Sequence, residues 1–317
     1  MIQITPHARI TLQHPAFHLA PSEDGRIVAL SRSGQGTFLS PDLTVFSSFS
    51  IPQEVSQAAL SPDNSLLAVT AADGISFYST ATFEKTHYMN DAFEWCLFGS
   101  ATLFWTSSRF TELTAVLQAW DLPQKTLIAK TKVADPFAGS TFLLLAHPSP
   151  NSAVVWAAAG QDGQRLMWAS RKGDMIHVSR FEHEDFTSPP AFSPSGTEFL
   201  FTTEGQLFRY AYPNGPLLAK MNQLMEGEHI GDEVYYLDET RALLTSTEGR
   251  LFVVDVVNMN VLHELVIVGY EPRPTSGSDL SHFVKLADGR FLSLHRDLSA
   301  ANLDQACDRL MVWPAPA

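Results

Sequence analysis

The sequence predicts an all-β fold: a seven-bladed β-propeller of four-stranded antiparallel blades, closed by the N-terminal strand joining the last blade. Three observations carry that reading. One turn–strand–breaker–strand unit recurs along the chain, each copy leaves room for a further strand on either side, and the two ends are incomplete in complementary ways.

The unit is clearest in SPDNSLLAVTAADGISFY, residues 61–78. Ser-Pro-Asp-Asn is turn chemistry, LLAVT is aliphatic and β-branched, Asp-Gly interrupts it and ISFY resumes. The cadence returns at residue 193 as SPSGTEFLFTTEGQLFRYAY. Aliphatic runs of this kind begin at residues 26, 66, 102, 153, 198, 242 and 290: RIVAL, LLAVT, TLFWT, AVVWAA, EFLFTT, ALLTS and RFLSL. Most are followed by a Gly breaker (33–34, 73–74, 162–163, 204–205, 248–249) and then by a second run: GTFLS, ISFYS, LQAWD, RLMWA, LFRYA, LFVVD or LMVWP. Runs such as FEWCLF and EVYYL precede the aliphatic one, and runs such as TLIAKTKV and VLHELVIV follow the second. Four short strands form a sheet that cannot bury both faces alone; seven such sheets stacked around an axis bury one another.

The last unit stops after LMVWPAPA and lacks a fourth strand, while ARITLQH (8–14) is strand-like with no partner in the first unit. Supplying that missing edge from the start of the chain would close the ring and leave no open join. Residues 1–317 therefore read as one propeller domain. The segment SAANLDQACDR (299–309) reads equally as a turn or two of helix capped by Ser299 or as a plain loop.

Composition excludes several classes. Apolar residues make up 45% of the chain, enough for a full core. The formal charge is −13, from 34 acidic against 21 basic residues, which repels nucleic-acid phosphates and anionic lipid. MIQITPHARITLQHP lacks the apolar core of a signal peptide, and no apolar run reaches the ~20 residues needed to span a bilayer. With only two cysteines, Cys96 and Cys307, and no CxxC, the expectation is a reduced, cytoplasmic setting in which both thiols are packing residues.

SPDNSLLAVTAADGISFYSTATFEK resembles a WD40-type propeller repeat: a Ser-Pro-Asp turn, an aliphatic strand, an Asp-Gly turn and a strand ending in Trp-Asp. The pair itself occurs at Trp120-Asp121, SPSGTEFLFTTEG carries the same pattern, and no unit holds a Gly-His dipeptide. The resemblance implies a propeller and, in complete repeats, an internal His–Ser/Thr–Asp–Trp hydrogen-bond network.

Motifs for chemistry are sparse. There is no GxSxG and no sialidase-type Asp-box, and the eleven His residues are scattered. The densest ligand-type cluster, HVSRFEHEDF with His177, Glu182, His183, Glu184 and Asp185, matches no defined metal spacing and reads as a solvated acidic loop. SRSGQGT (31–37) has no helix behind it and reads as a hairpin turn. The aromatic series Tyr78, Trp120, Trp168, Tyr210 and Trp313 recurs at one slot per unit, the mark of packing between sheets.

Loop lengths carry the asymmetry. Turns joining strands one to two and three to four share one face and are terse, HPSPN excepted. The other face bears the turns between strands two and three and the connections between blades, and there the chain swells at 107–113, 181–188, 222–231, 269–279 and 295–309. Candidate partner-binding residues on it are Arg109, Phe110, His183, Phe186, His229, Tyr270, Arg273 and Arg296, with Tyr and Arg as interface anchors. The expectation is a non-catalytic interaction module or scaffold without cofactor, presenting this face to a protein or peptide partner, a basic one by charge. The rival is a lactonase- or hydrolase-type propeller with His183, Asp185, Glu228 and Asp297 converging at the channel mouth.

Overall fold

The computed structural model describes residues 1–22, 25–108, 114–134, 141–158, 164–181, 189–203, 205–269, 283–295 and 308–316. Two strands precede the first blade, β1 (Ile2–Ile4) and β2 (Ala8–Thr11). Blade 1 holds β3–β6 (His18–Pro21, Ile27–Leu30, Gln35–Leu39, Val45–Ser50), and blade 2 holds β7–β10 (Gln57–Leu60, Leu66–Ala71, Gly74–Ser79, Lys85–Met89). Blade 3 is β11–β14 (Phe93–Phe98, Leu103–Ser108, Thr114–Asp121, Thr126–Ala134), and blade 4 is β15–β18 (Thr141–Ala146, Ser152–Ala158, Gln164–Lys172, Met175–Phe181). Blade 5 is β19–β22 (Ala191–Phe192, Glu198–Thr203, Gln206–Ala211, Leu217–Met221), and blade 6 is β23–β26 (Ile230–Tyr236, Arg241–Ser246, Leu251–Asp255, Asn260–Ile267). Blade 7 has β27–β29 (Phe283–Lys285, Phe291–His295, Arg309–Trp313). Within each blade the consecutive strands pair antiparallel, giving seven sheets, as the repeat predicts; β1 and β2 join the sheets of blades 6 and 7.

The opening motif folds as its chemistry requires. Ser61 donates its N–H to the Leu66 carbonyl at 2.9 Å, its hydroxyl reaches Asp63 at 2.7 Å, and Asn64 takes the left-handed conformation at φ 58°. In blade 5 Ser193 repeats the bond to Glu198, also at 2.9 Å, and Gly196 takes the left-handed position at φ 69°. Ser31–Gln35 closes a hairpin turn, as its sequence indicates.

Seven apolar clusters fill the seven gaps between neighbouring blades. Tyr78, Trp120, Trp168, Tyr210 and Trp313 all sit in them, so the recurring aromatic slot is packing. Trp313 is fully buried and stacks on Phe291 at 4.8 Å. In blades 3 and 7 the indole donates to a hydroxyl one strand inward, Trp120 to Thr106 at 3.1 Å and Trp313 to Ser293 at 3.3 Å. Trp168 instead crosses to Asn214 of blade 5 at 3.0 Å. Cys96 is a free, fully buried thiol between blades 2 and 3, and burial pushes its pKa up to about 12, which suits packing and not reactivity. Cys307 and most of 299–309 lie outside the described residues.

Closure follows the expectation. β2 pairs antiparallel with β29, Ala8 opposite Val312 through Thr11 opposite Arg309, and so supplies the outer strand of blade 7. The buried Asp308 fixes the return to blade 1: its carbonyl accepts from Leu12 N–H at 2.8 Å and its carboxylate from Ala16 N–H at 2.7 Å. The structure adds a strap that the sequence does not announce. β1 lies parallel to β26 as a fifth strand on blade 6, with Ile4 buried against the cluster shared with blade 7, so the N-terminal residues bind two adjacent blades.

Asp308→Ala removes the buried carboxylate that accepts from the Ala16 N–H and is expected to destabilise the fold by about 1–3 kcal/mol in urea titration. Removing residues 1–5 takes away β1 alone and should lower the melting temperature modestly. Removing residues 1–14 exposes the edge of blade 7 and should lower it far more; equal melting of the two truncations would refute the closure.

Candidate functional site

The turns between second and third strands meet the blade-to-blade connections on one face. In blade 1 the Val55 N–H donates to the Arg32 carbonyl at 2.8 Å, and in blade 6 the Thr247 N–H donates to the His229 carbonyl at 3.1 Å; in blade 2 it is Tyr88, near the end of β10, whose hydroxyl donates to the Asp73 carbonyl at 2.6 Å. Of the predicted partner-binding residues, His229 lies here, exposed, against Gly205. Arg109, Phe110, His183, Phe186, Tyr270, Arg273 and Arg296 lie outside the described residues, as do Asp185 and Asp297 of the hydrolase reading. Glu228 is committed elsewhere: Arg250 pairs with it and with Glu264, the latter at 2.7 Å, and both hydrogen bonds raise the guanidinium pKa.

The innermost strands line the axis of the ring, and side-chain clamps fix their spacing. The Gln57 amide on β7 donates to the Cys96 carbonyl at 2.8 Å and accepts from the Cys96 N–H at 2.7 Å, so one side chain pairs with the β11 backbone as a strand would. Near the opposite face, the Lys285 ammonium on β27 donates to the carbonyls of Tyr236 and Leu237, both at 3.0 Å.

Two of the seven first-to-second strand pairs break register, and both breaks occur where a carboxylate stands on the innermost strand. On β11, Phe93 and Trp95 face Ser108 and Ser107, so Glu94 is an extra residue. On β23, Ile230 faces Ser246 and Val234 faces Leu244, so four residues span two and the stretch Gly231–Asp232–Glu233 leaves the ladder. Gly231 permits this: a Cβ there would meet the Ser246 carbonyl oxygen at 2.8 Å. The Glu233 N–H donates to the Thr245 side chain at 3.2 Å instead of to a strand carbonyl. Bulges of this kind re-aim side chains, and here the free edge of each bulged strand is the channel.

Asp232 is exposed, and Glu94, Glu233 and Tyr235 are half-buried. One Glu233 carboxyl oxygen is buried with no hydrogen-bond partner. Its burial, then the charge of Asp232, push the Glu233 pKa well above the usual carboxylate range; burial and then Glu233 do the same for Tyr235. Around them, Glu54, Asp73, Asp91, Glu226 and Glu248 are exposed on the same face. Among the described residues of its turns and connections the only Lys or Arg side chains are Arg250 and Arg32, whose guanidinium lies 4.1 Å from the Phe17 ring centre. No group of three or more His, Cys, Asp or Glu among the described residues is placed to hold a metal ion. Sequence reading passed over Glu94, Asp232 and Glu233; the signal was acids inside otherwise apolar strand runs, FEWCLF and HIGDEVYYL, the second with a glycine just before them.

Fold and site together define a closed seven-bladed β-propeller whose described residues on this face are predominantly acidic. No protein-family model matches the chain, and no curated protein does. Among solved structures it is similar to the hydrazine synthase of Kuenenia stuttgartiensis, with a TM-score of 0.58, 12% identity and coverage of 78% of each chain. At that identity the likeness concerns the propeller fold alone.

Because the folded state raises the Glu233 pKa, it binds a proton that the unfolded chain releases once pH exceeds ~4.5. The group therefore lowers stability progressively as pH rises from there through its folded-state pKa. Glu233→Gln removes the charge problem and is expected to raise the urea midpoint at pH 8 and to leave it nearly unchanged at pH 4; a lower midpoint at pH 8 would contradict the assignment.

Proposed function

We propose that the protein is a non-catalytic, WD40-like interaction module that receives a basic protein or peptide segment on the face bearing the blade connections. The observation supporting this most directly is the charge of that face: five exposed carboxylates on its described turns and connections, Glu94 and Asp232 at bulged inner positions, and two arginines, one of them neutralised by Glu228 and Glu264. Such a surface raises the encounter rate of a cationic partner more than its ultimate affinity. The strand framework holds it in place before binding, so little ordering entropy opposes docking. A cytoplasmic location fits the two cysteines and the buried state of Cys96. The hydrolase reading has one observation in its favour, the elevated pKa of Glu233 beside Tyr235, which suits a general acid. Turnover of a lactone or ester that Glu233→Gln abolishes would establish it.

N-acetyl hexalysine amide is the simplest probe. Wild-type protein is expected to bind it with an affinity that falls severalfold between ~50 and ~300 mM salt. The triple variant Asp73→Asn, Asp91→Asn, Glu248→Gln should lose most of that salt dependence, chiefly through a slower association rate. Absence of binding at low salt, or binding indifferent to salt, would overturn the proposal.

A further inference from the structure

We infer that the bulge at Gly231–Glu233 is a receptor for one cationic side chain, a lysine or arginine of the docking segment, with the unpartnered Glu233 carboxyl as its anchor. The inference rests on the docking reading above and names the residue that would fix the partner in place.

Three features of the bulge converge on this. An innermost strand has one edge on its own blade and the other on the channel, so two residues expelled from the ladder have the channel edge to occupy. The expulsion is built in: Gly231 allows the close approach to Ser246, and the Thr245 hydroxyl replaces the lost backbone acceptor for the Glu233 N–H. The result is a buried carboxyl oxygen with nothing bonded to it, a state that costs stability unless something else fills the vacancy.

Among the described residues, the neighbouring cations are committed to other groups. Lys285 of blade 7 donates to the Tyr236 and Leu237 carbonyls, Arg209 of blade 5 pairs with Glu198 at 2.7 Å on the side of β23 that Tyr236 faces, and Arg250 holds Glu228 and Glu264. Among the described residues, the groups bearing on Glu233 are Asp232 and Tyr235 of its own strand and Thr245 of β24, none of them cationic. Tyr235 packs towards blade 7 against Phe291, giving an incoming aliphatic stem an aromatic wall. A guanidinium or ammonium entering here meets the unpartnered Glu233 oxygen in the less polar interior. Burial favours the protonated form of Glu233 and a cation favours the carboxylate, so binding shifts the group towards proton release.

The test is calorimetric titration of N-acetyl hexalysine amide into wild-type and variant protein at pH 7, in two buffers of different ionisation enthalpy. Wild type is expected to release a fraction of a proton on binding, seen as heats that differ between the buffers. Glu233→Gln should bind about tenfold more weakly and release none. Glu233→Asp, which keeps the charge on a shorter stem, should retain proton release with reduced affinity. The rim triple variant should keep proton release while losing salt dependence. Equal affinity and equal proton release in wild type and Glu233→Gln would overturn this inference and leave the docking face intact. No binding to wild type would overturn both. A rise in melting temperature with calcium chloride alone that Glu233→Gln abolishes would assign the bulge to a metal ion and refute the side-chain receptor.

Discussion

The pairing of Ala8–Thr11 with Arg309–Trp313 is the constraint on which the rest of the molecule depends. Each blade buries its faces only against its neighbours, so the clusters between blades exist as a set only while the circle is complete. The chain reaches blade 7 with three strands, and the fourth comes from its other end, some three hundred residues away in sequence. Such a contact is entropically expensive to form, since a loop of that length must close. The buried Asp308 and the parallel β1 concentrate additional bonds at the same seam, where that expense falls.

A closed ring makes the channel, and the channel explains why carboxylates are tolerated on inner strands. A regular inner strand turns its side chains into the neighbouring blades, where a carboxylate would be buried unpaired. The bulges at Glu94 and at Asp232–Glu233 offer a third direction, along the one edge that no strand covers; Asp232 is exposed there, while one Glu233 oxygen stays buried. The framework around them is rigid for reasons unrelated to binding, such as the Gln57 clamp and the Lys285 bonds to blade 6. Local departures from regular pairing then concentrate charge at a mouth whose surroundings hold their shape.

Most of the fold was legible in the sequence because turn chemistry is local. Ser61-Pro62-Asp63-Asn64 and Ser193-Pro194-Ser195-Gly196 specify their hairpins without outside help, and the aliphatic runs between them give strand and burial together. The closing strand was legible by elimination, as a strand pattern without a partner beside a blade without an edge. β1 was not: Ile2–Ile4 is too short to show alternation, and its partner, β26, runs parallel to it across the whole chain. The site was legible only as a face. Loop length marked it, but of the eight residues chosen there only His229 falls among those described, while Glu233 was hidden inside a strand. A two-residue bulge depends on register between strands, which the pattern of one strand does not encode; Gly231 before two acids was its single trace.

Native-state hydrogen exchange on the amides of Ala8–Thr11 and Arg309–Trp313 tests the closed ring most directly. If the ring is latched there, these amides exchange only through global unfolding, with the same free energy as the Arg241–Ser246 and Leu251–Asp255 strands of blade 6. Should they exchange through a separate, much lower-energy opening while blade 6 stays protected, the seam does not hold the molecule together and the account is wrong.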